Sequence, residues 1–400
     1  MYRAKIQCIR ICKKGRFCRN EQRWLAKNFF MFFATWGIFI AYWTGWLIND
    51  KALSVSDASI IMGFGLVARA ISTMFIFPYI SKIMSNKRVL IFFTLASLIV
   101  TILYIPVNSF TGLFIITMLF SVFYPALLPA VESSASALMQ HGKVHYGKAR
   151  SLGSFGYVVA VLIISMLTGA YGEQTILWMM ILGLTALLAI QLMPAPPLLS
   201  VLPKQETAKS ISMKDLFKMK SFVVVLVVVI LLQGAHASYY NYGYIYLQEL
   251  NVNAFYIGMI LNVAVIFEIL YFLKADTFLT KWKPSSLLLL AAVGSTLRLI
   301  LVYAFPNMPM FVVSQALHAL SFAMAHYAFI QYISKSLPKE KIPNAQGMYS
   351  ALAMRLSAAL LTLLGGVLYE IEPGLAFLGM IIFTVPAIFL ILLTKKRFDY

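Results

Sequence analysis

Phe222-VVVLVVVILLQGAHASYYNYGYIYL-Gln248 runs for 27 residues without one Asp, Glu, Lys or Arg. A helix rises about 1.5 Å per residue, so roughly 20 such residues cross the hydrocarbon core of a bilayer. The stretch reads as a membrane span, and it is one of twelve. The others fall at 28–48, 58–81, 89–106, 111–138, 150–170, 174–193, 255–273, 285–305, 309–334, 344–369 and 374–394. Composition agrees: of 400 residues, 61% are hydrophobic and 12% charged, about half the charged share of a soluble domain. The expected fold is an all-α membrane protein.

The charges test the count of spans. Lys and Arg number 33 against 14 Asp and Glu, a net +19. In a soluble chain that excess would suggest nucleic acid; here its location points elsewhere. When the connecting segments are assigned to alternate sides, one side takes the N-terminus, five loops and the C-terminus, and holds 29 of the 33. The six loops of the other side hold only Lys51, and Arg69, Arg298 and Arg355 fall inside spans. A missed or invented span would scramble this pattern. Basic residues concentrate in cytoplasmic loops, so both termini are expected in the cytoplasm, with the bilayer as partner and no nucleic acid.

Residues 1–27 form a basic tail without the short apolar core and cleavage site of a signal peptide. Cys8, Cys12 and Cys18 lie in it. Three thiols fall short of the four ligands of a structural metal site, so they read as reduced cysteines in a disordered tail, and no metal is expected. The polar segment 194–221, with Pro194, Pro196 and Pro197, divides the spans six and six. That gives an N-terminal bundle over 28–193, a cytoplasmic linker, a C-terminal bundle over 222–394 and a short tail, 395–400. Within the linker, Ser212 to Asp215 resembles a helix start, with Met213, Leu216 and Phe217 spaced to lie on the membrane surface.

The halves echo each other. Met62-Gly63 and Ile257-Gly258 stand 195 residues apart, and the basic turns at Lys87-Arg88 and Lys281–Lys283 keep that offset. Gly169-Ala-Tyr171 and Val367-Leu-Tyr369 are offset by 198. Two parallel repeats of six helices place a substrate site near the midplane between them, in the major facilitator architecture.

A charge at the bilayer centre costs at least about 2.5–3.5 kcal/mol. Arg69, Glu132, Arg150, Glu268, Arg298 and Arg355 therefore face a water-filled cavity or pair with one another, either as parts of a pathway or as purely structural pairs. Arg150 is near enough to the membrane edge to snorkel. Four arginines against two glutamates leave a cationic interior, which suits an anionic substrate, because guanidinium binds carboxylate bidentately and keeps its proton. The competing account has the arginines neutralising helix C-terminal dipoles. Gln233, His236 and Tyr240 share a helix face at i, i+3 and i+7 and read as cavity lining. Gln315, His318 and His326 follow in the tenth span. A lone buried histidine is more often a packing residue; three within two spans raise the case for proton or substrate handling. No Walker A, HExxH or GxSxG motif occurs, so neither an enzyme nor ATP coupling is expected. Pro125, Pro129 and Pro386 suggest kinked helices.

Leu231-LQGAHASYYNYGYIYLQ-Glu249 resembles the seventh helix of the 3-phenylpropionate permease branch of the major facilitator superfamily. GFGLVARAIS around Arg69, YGKARSLGS around Arg150, RWLAKNFF at Arg23 and YSALAM at Tyr349 resemble the same branch. The likeness runs from about residue 23 to the end. The lactose permease group is a more distant likeness. Its helix-4 acid and YG-x-x-R arginine match Glu132 and Arg150, and its helix-8 glutamate, helix-9 arginine and helix-10 histidine match Glu268, Arg298 and His318.

This resemblance implies a proton symporter in a bacterial inner membrane, monomeric, importing a small aromatic carboxylate such as 3-phenylpropionate. It implies no cofactor, the proton gradient being the energy source. Arg69, Glu132, Arg150, Gln233, His236, Tyr240 and Arg298 would then bind substrate, and Glu268, His318 and His326 would couple protons. The chain also departs from the sugar permeases. Ser321 stands where they carry a proton-releasing glutamate, and Leu152 replaces the usual aromatic of the YG-x-x-R turn. The Asp of the helix 2–3 signature is missing, no stacking tryptophan is placed, and Arg355 has no family role. Two alternatives stand beside this reading: a symporter of an oligosaccharide or nucleoside, and a non-transporting receptor on the same fold.

Overall fold

The computed structural model describes residues 16–140, 144–201, 214–338, 341–398 and 400. Among the described residues there is no strand, and twelve helices are long and apolar enough to cross a membrane. They are α1 (Asn20–Asn49), α2 (Val55–Ile83), α3 (Asn86–Leu103), α4 (Phe110–Met139), α5 (Tyr146–Tyr171), α6 (Gln174–Leu192), α7 (Lys220–Glu249), α8 (Ala254–Ala275), α9 (Pro284–Ala304), α10 (Met308–Ser336), α11 (Asn344–Ile371) and α12 (Leu375–Phe398). Each matches a stretch read from hydropathy to within a few residues, except at the start of the first. The helix of α1 continues back to Arg16, well into the segment expected as a tail. Lys, Arg, Gln and Glu are good helix formers, and Glu21, Trp24 and Leu25 bury one face of the extension. Cys18 lies on this helix, while Cys8, Cys12 and the Ser212–Met213 helix start lie outside the described residues. Leu216, expected at the membrane surface, is instead buried with Phe222 and Val225, whereas Phe217 is exposed.

Several helices are irregular. A 3₁₀ turn at Tyr124–Ala126 breaks α4 at Pro125, which has no N–H to donate. A π turn at Ser72–Ile76 precedes Pro78 in α2. In α7 the regular helix stops at Gly234 and restarts at Ala237, with i→i+3 bonds from His236 N to Gln233 O and from Tyr239 N to His236 O. A π turn at Ala319–Ala323 interrupts α10 just after His318. Another, Tyr349–Leu356, widens α11 and carries Arg355. Pro386 lies inside the last segment of α12, Ile381–Phe398. Widened turns of this kind cluster at functional sites, because they re-aim side chains.

By packing, the chain divides into two compact units. One holds the chain through Phe39, Ile71–Ile164 and the stretch from Gln174 through α6. The other holds Ile40–Ala70, Ser165–Glu173 and the C-terminal half. These units cut across α1, α2 and α5, whose far ends pack with α7, α8 and α11. Small residues allow that approach: a Cβ on Gly366 would collide with Ser59, and one on Gly45 with the Tyr244 ring. A seam of polar side chains runs through the second unit. Thr44 Oγ1 donates to Asn241 Oδ1 (3.4 Å), and Asn241 Nδ2 donates to Thr362 Oγ1 (2.9 Å). The Ser59 and Tyr242 hydroxyls meet at 2.9 Å, and Asn49 Nδ2 donates to Gln248 Oε1 at 2.8 Å. Glu173 Oε1 accepts from Asn49, Tyr244 and Gln248, beside a cleft of about 430 Å³ lined also by Glu249 and Tyr369.

Candidate functional site

In the second unit the irregular turns of α7 and α10 gather polar side chains around one guanidinium. Arg298 of α9 is 1% exposed. Its Nη1 donates to Ser321 Oγ (2.9 Å) and to His318 Nδ1 (3.1 Å), and its Nη2 to Gln315 Oε1 (3.4 Å). The guanidinium carbon lies 3.7 Å from the centre of the Tyr239 ring, and the Tyr239 hydroxyl donates to the Arg298 carbonyl at 3.1 Å. Among the described residues no carboxylate lies within ion-pair distance of Arg298, and its Nε has no hydrogen-bond partner. A buried charge held by neutral acceptors alone is expensive, and such a site attracts an anion.

These contacts fix the protons. Arginine only donates, so His318 Nδ1 accepts and the imidazole proton is on Nε2. That proton faces Glu268 Oε2 of α8, 3.4 Å away. One imidazole thus joins the buried cation to a carboxylate 30% exposed. His236 is oriented the other way round. Its Nδ1 donates to the Leu232 carbonyl (2.9 Å), which leaves Nε2 to accept from Ser321 Oγ (3.1 Å). The imidazole of His318 stacks on Phe322 (4.9 Å, 9°), and His236 meets both rings edge-on.

One turn along, Gln233 Nε2 donates to the Tyr349 hydroxyl of α11 (2.9 Å) and to the Phe322 carbonyl (3.3 Å). The same hydroxyl lies 3.0 Å from His326 Nδ1. Gln233, His236 and Tyr240 share a face, as their spacing implies, and all three contact Phe322. Gln233 and His236 are buried, however, and Tyr240 is half-buried. Arg69 is half-buried on α2, and Arg355 is half-buried within the π turn of α11.

The first unit holds a separate cluster. Arg150 Nε of α5 lies 3.7 Å from Glu132 Oε1 of α4, each side chain 34% exposed. The Tyr146 hydroxyl donates to the same carboxylate oxygen at 3.1 Å, and the Arg150 guanidinium lies 3.9 Å over the Phe33 ring of α1. The sequence marked the charged pair. It did not mark Tyr146, although that is the tyrosine of the YG-x-x-R turn, nor Phe33, Tyr239 and Tyr349 as partners. Ser321 was noticed only for the glutamate it replaces, whereas the structure places its hydroxyl between Arg298 and His236.

Comparison with known proteins gives a concordant result. A family model described as "MFS_1 like family" matches residues 22–378. The probable 3-phenylpropionic acid transporter of Escherichia coli (strain K12) is 28% identical over 375 residues, covering 93% of this chain and 97% of that protein. The maltose permease of Geobacillus stearothermophilus is 26% identical over 298 residues, 74% of this chain and 75% of the permease. The crystal structure of the nucleoside transporter NupG (D323A mutant) superposes with a TM-score of 0.81 at 18% identity, covering 92% of this chain and 98% of that one. At that identity the last likeness establishes the fold alone.

Proposed function

The chain belongs to the MFS_1 like family, and we propose from that premise that it imports a small aromatic carboxylate, such as 3-phenylpropionate, together with protons. It is a multi-pass bacterial inner-membrane transporter of the major facilitator type, and not an enzyme. In our reading the basic loops and both termini face the cytoplasm.

The observation that carries the reading is the line Arg298–His318–Glu268. Its one cation and one anion are joined through a neutral imidazole. A carboxylate substrate drawn to Arg298 adds a negative charge in a place where unpaired charge is costly. One proton on Glu268 restores the balance, so anion and proton cross together more cheaply than either alone. In this scheme the substrate carboxylate pairs with Arg298 or Arg69, with Gln233, His236 and Tyr240 beside the ring. The 3-phenylpropionic acid transporter relative supports the aromatic acid. The maltose permease relative supports the second reading, an oligosaccharide cargo on the same coupling.

The test is uptake of radiolabelled 3-phenylpropionate, maltose and uridine, with and without a protonophore. Accumulation of the acid that collapses with the protonophore is expected. Glu268→Gln is expected to keep counterflow while losing uphill accumulation. A variant that still concentrates substrate with the pH dependence of the unaltered protein would sink the assignment of Glu268.

A further inference from the structure

We propose that His326 is a second proton station, taking the proton from Glu268 and passing it toward the basic-loop side, with Tyr349 and Gln233 holding its imidazole in place. The inference rests on the proton-coupled reading above and gives that proton an exit separate from the Arg298 cluster.

The placement of His326 is the first argument. It stands eight residues beyond His318 on α10, about two turns nearer the end that carries Lys335. Its ring meets Phe272 edge-on at 6.2 Å. Phe272 is four residues after Glu268 on α8, and residues so spaced share a helix face. Glu268 interacts electrostatically with both His326 and Tyr349. The one acid of α8 thus serves two histidines: His318, tied to Arg298, and His326, tied to Tyr349. The titratable groups facing His326 are Glu268 of α8 and Tyr349 of α11, while α7 contributes the neutral Gln233.

The chemistry of the Tyr349 hydroxyl is the second argument. A phenol both donates and accepts. It accepts from Nδ1–H of the neutral imidazole, which leaves Nε2 open to take a proton, and it accepts from the same Nδ1–H in the imidazolium. Gln233 donates to the same oxygen in either state and holds it 3.0 Å from the ring. His318 lacks such a partner, because its Nδ1 faces a guanidinium that can only donate. In the transfer, the Glu268 carboxyl O–H bond breaks and an N–H bond forms at His326 Nε2, while Nδ1–H stays on the Tyr349 oxygen. The products are a carboxylate and an imidazolium, and the imidazolium later releases its proton to water on the basic side.

Tyr349→Phe keeps the ring, which stacks on Phe329 at 4.5 Å, and removes only the hydroxyl. His326→Gln removes the station. Both are reconstituted in proteoliposomes with an internal pH dye, using 3-phenylpropionate, maltose and uridine as probes. Counterflow, which needs no net proton movement, is expected to stay within about twofold of the unaltered protein. Net efflux and its proton flux are expected to slow by about tenfold or more, in the range of a positioned acid–base group, with a displaced pH profile. Equal loss of counterflow and efflux, or an unchanged efflux profile, would overturn the relay and leave the coupling reading intact. An unaltered protein that moves none of the probes, or moves one without protons, would overturn both.

Discussion

Arg298 Nη1 lies 3.1 Å from His318 Nδ1, and that contact alone decides which imidazole nitrogen carries the proton. The tautomer in turn directs the other nitrogen at Glu268. The buried cation thereby aims an imidazole N–H at the one acid of α8.

The guanidinium fork is the part of Arg298 that matters. Lysine keeps the charge but is a point donor on a flexible stem, so it cannot serve His318, Ser321 and Gln315 from one position or stack on Tyr239. Arg298→Lys is expected to lower substrate counterflow by about a hundredfold, as loss of a charge-assisted network worth about 3 kcal/mol would do. Counterflow near the level of the unaltered protein would show that charge alone suffices.

Ser321 relays between Arg298 and His236. Ser321→Ala leaves His236 Nε2 without its donor and Arg298 with one acceptor fewer. The expected loss of stability is about 1–3 kcal/mol, the cost of an unsatisfied buried polar group, read as a lowered melting temperature in detergent. An unchanged melting curve would show that the hydroxyl is spent on the Leu317 or His318 carbonyl, which it also approaches.

Glu132 and Arg150 are a third exposed, and a pair so hydrated contributes at most about 1 kcal/mol to stability. Glu132→Gln is therefore expected to leave thermal unfolding almost unchanged while reducing uptake at least about tenfold, a loss of about 1.4 kcal/mol in substrate binding. Uptake and stability that fall together would assign the pair a structural role.

Orientation is checked by labelling. A cysteine replacing Lys51 is expected to react with a membrane-impermeant maleimide in intact cells. One replacing Lys283 is expected to react only after permeabilisation. The reverse pattern would invert the side assigned to the basic loops.

Much of the architecture was legible because a bilayer leaves few choices. Each span needs its apolar length, and basic loops sort by side. The start of α1 was not legible, because residues 16–27 carry both helix-forming charges and a thin buried stripe at Glu21, Trp24 and Leu25. The candidate site divides in the same way. Arg298, Glu268 and His318 stood out because charge is rare among apolar residues. Ser321, Tyr146 and Tyr349 did not, since hydroxyls are cheap to carry in a helix and gain meaning only from a neighbour. The break at Ala235–His236, which aims the α7 imidazole at Ser321, follows a glycine that reads equally well as close packing.

The polar seam through Thr44, Asn241, Thr362, Ser59 and Tyr242 bears on how such a carrier spends heat. Parting a row of leucines exposes apolar surface and carries a heat-capacity change. Parting hydroxyls and amides exchanges one hydrogen-bond partner for water, with little net free energy in each exchange. A seam built this way, wherever it parts, leaves a surface that water wets, so its parting carries a smaller heat-capacity change than that of an apolar one.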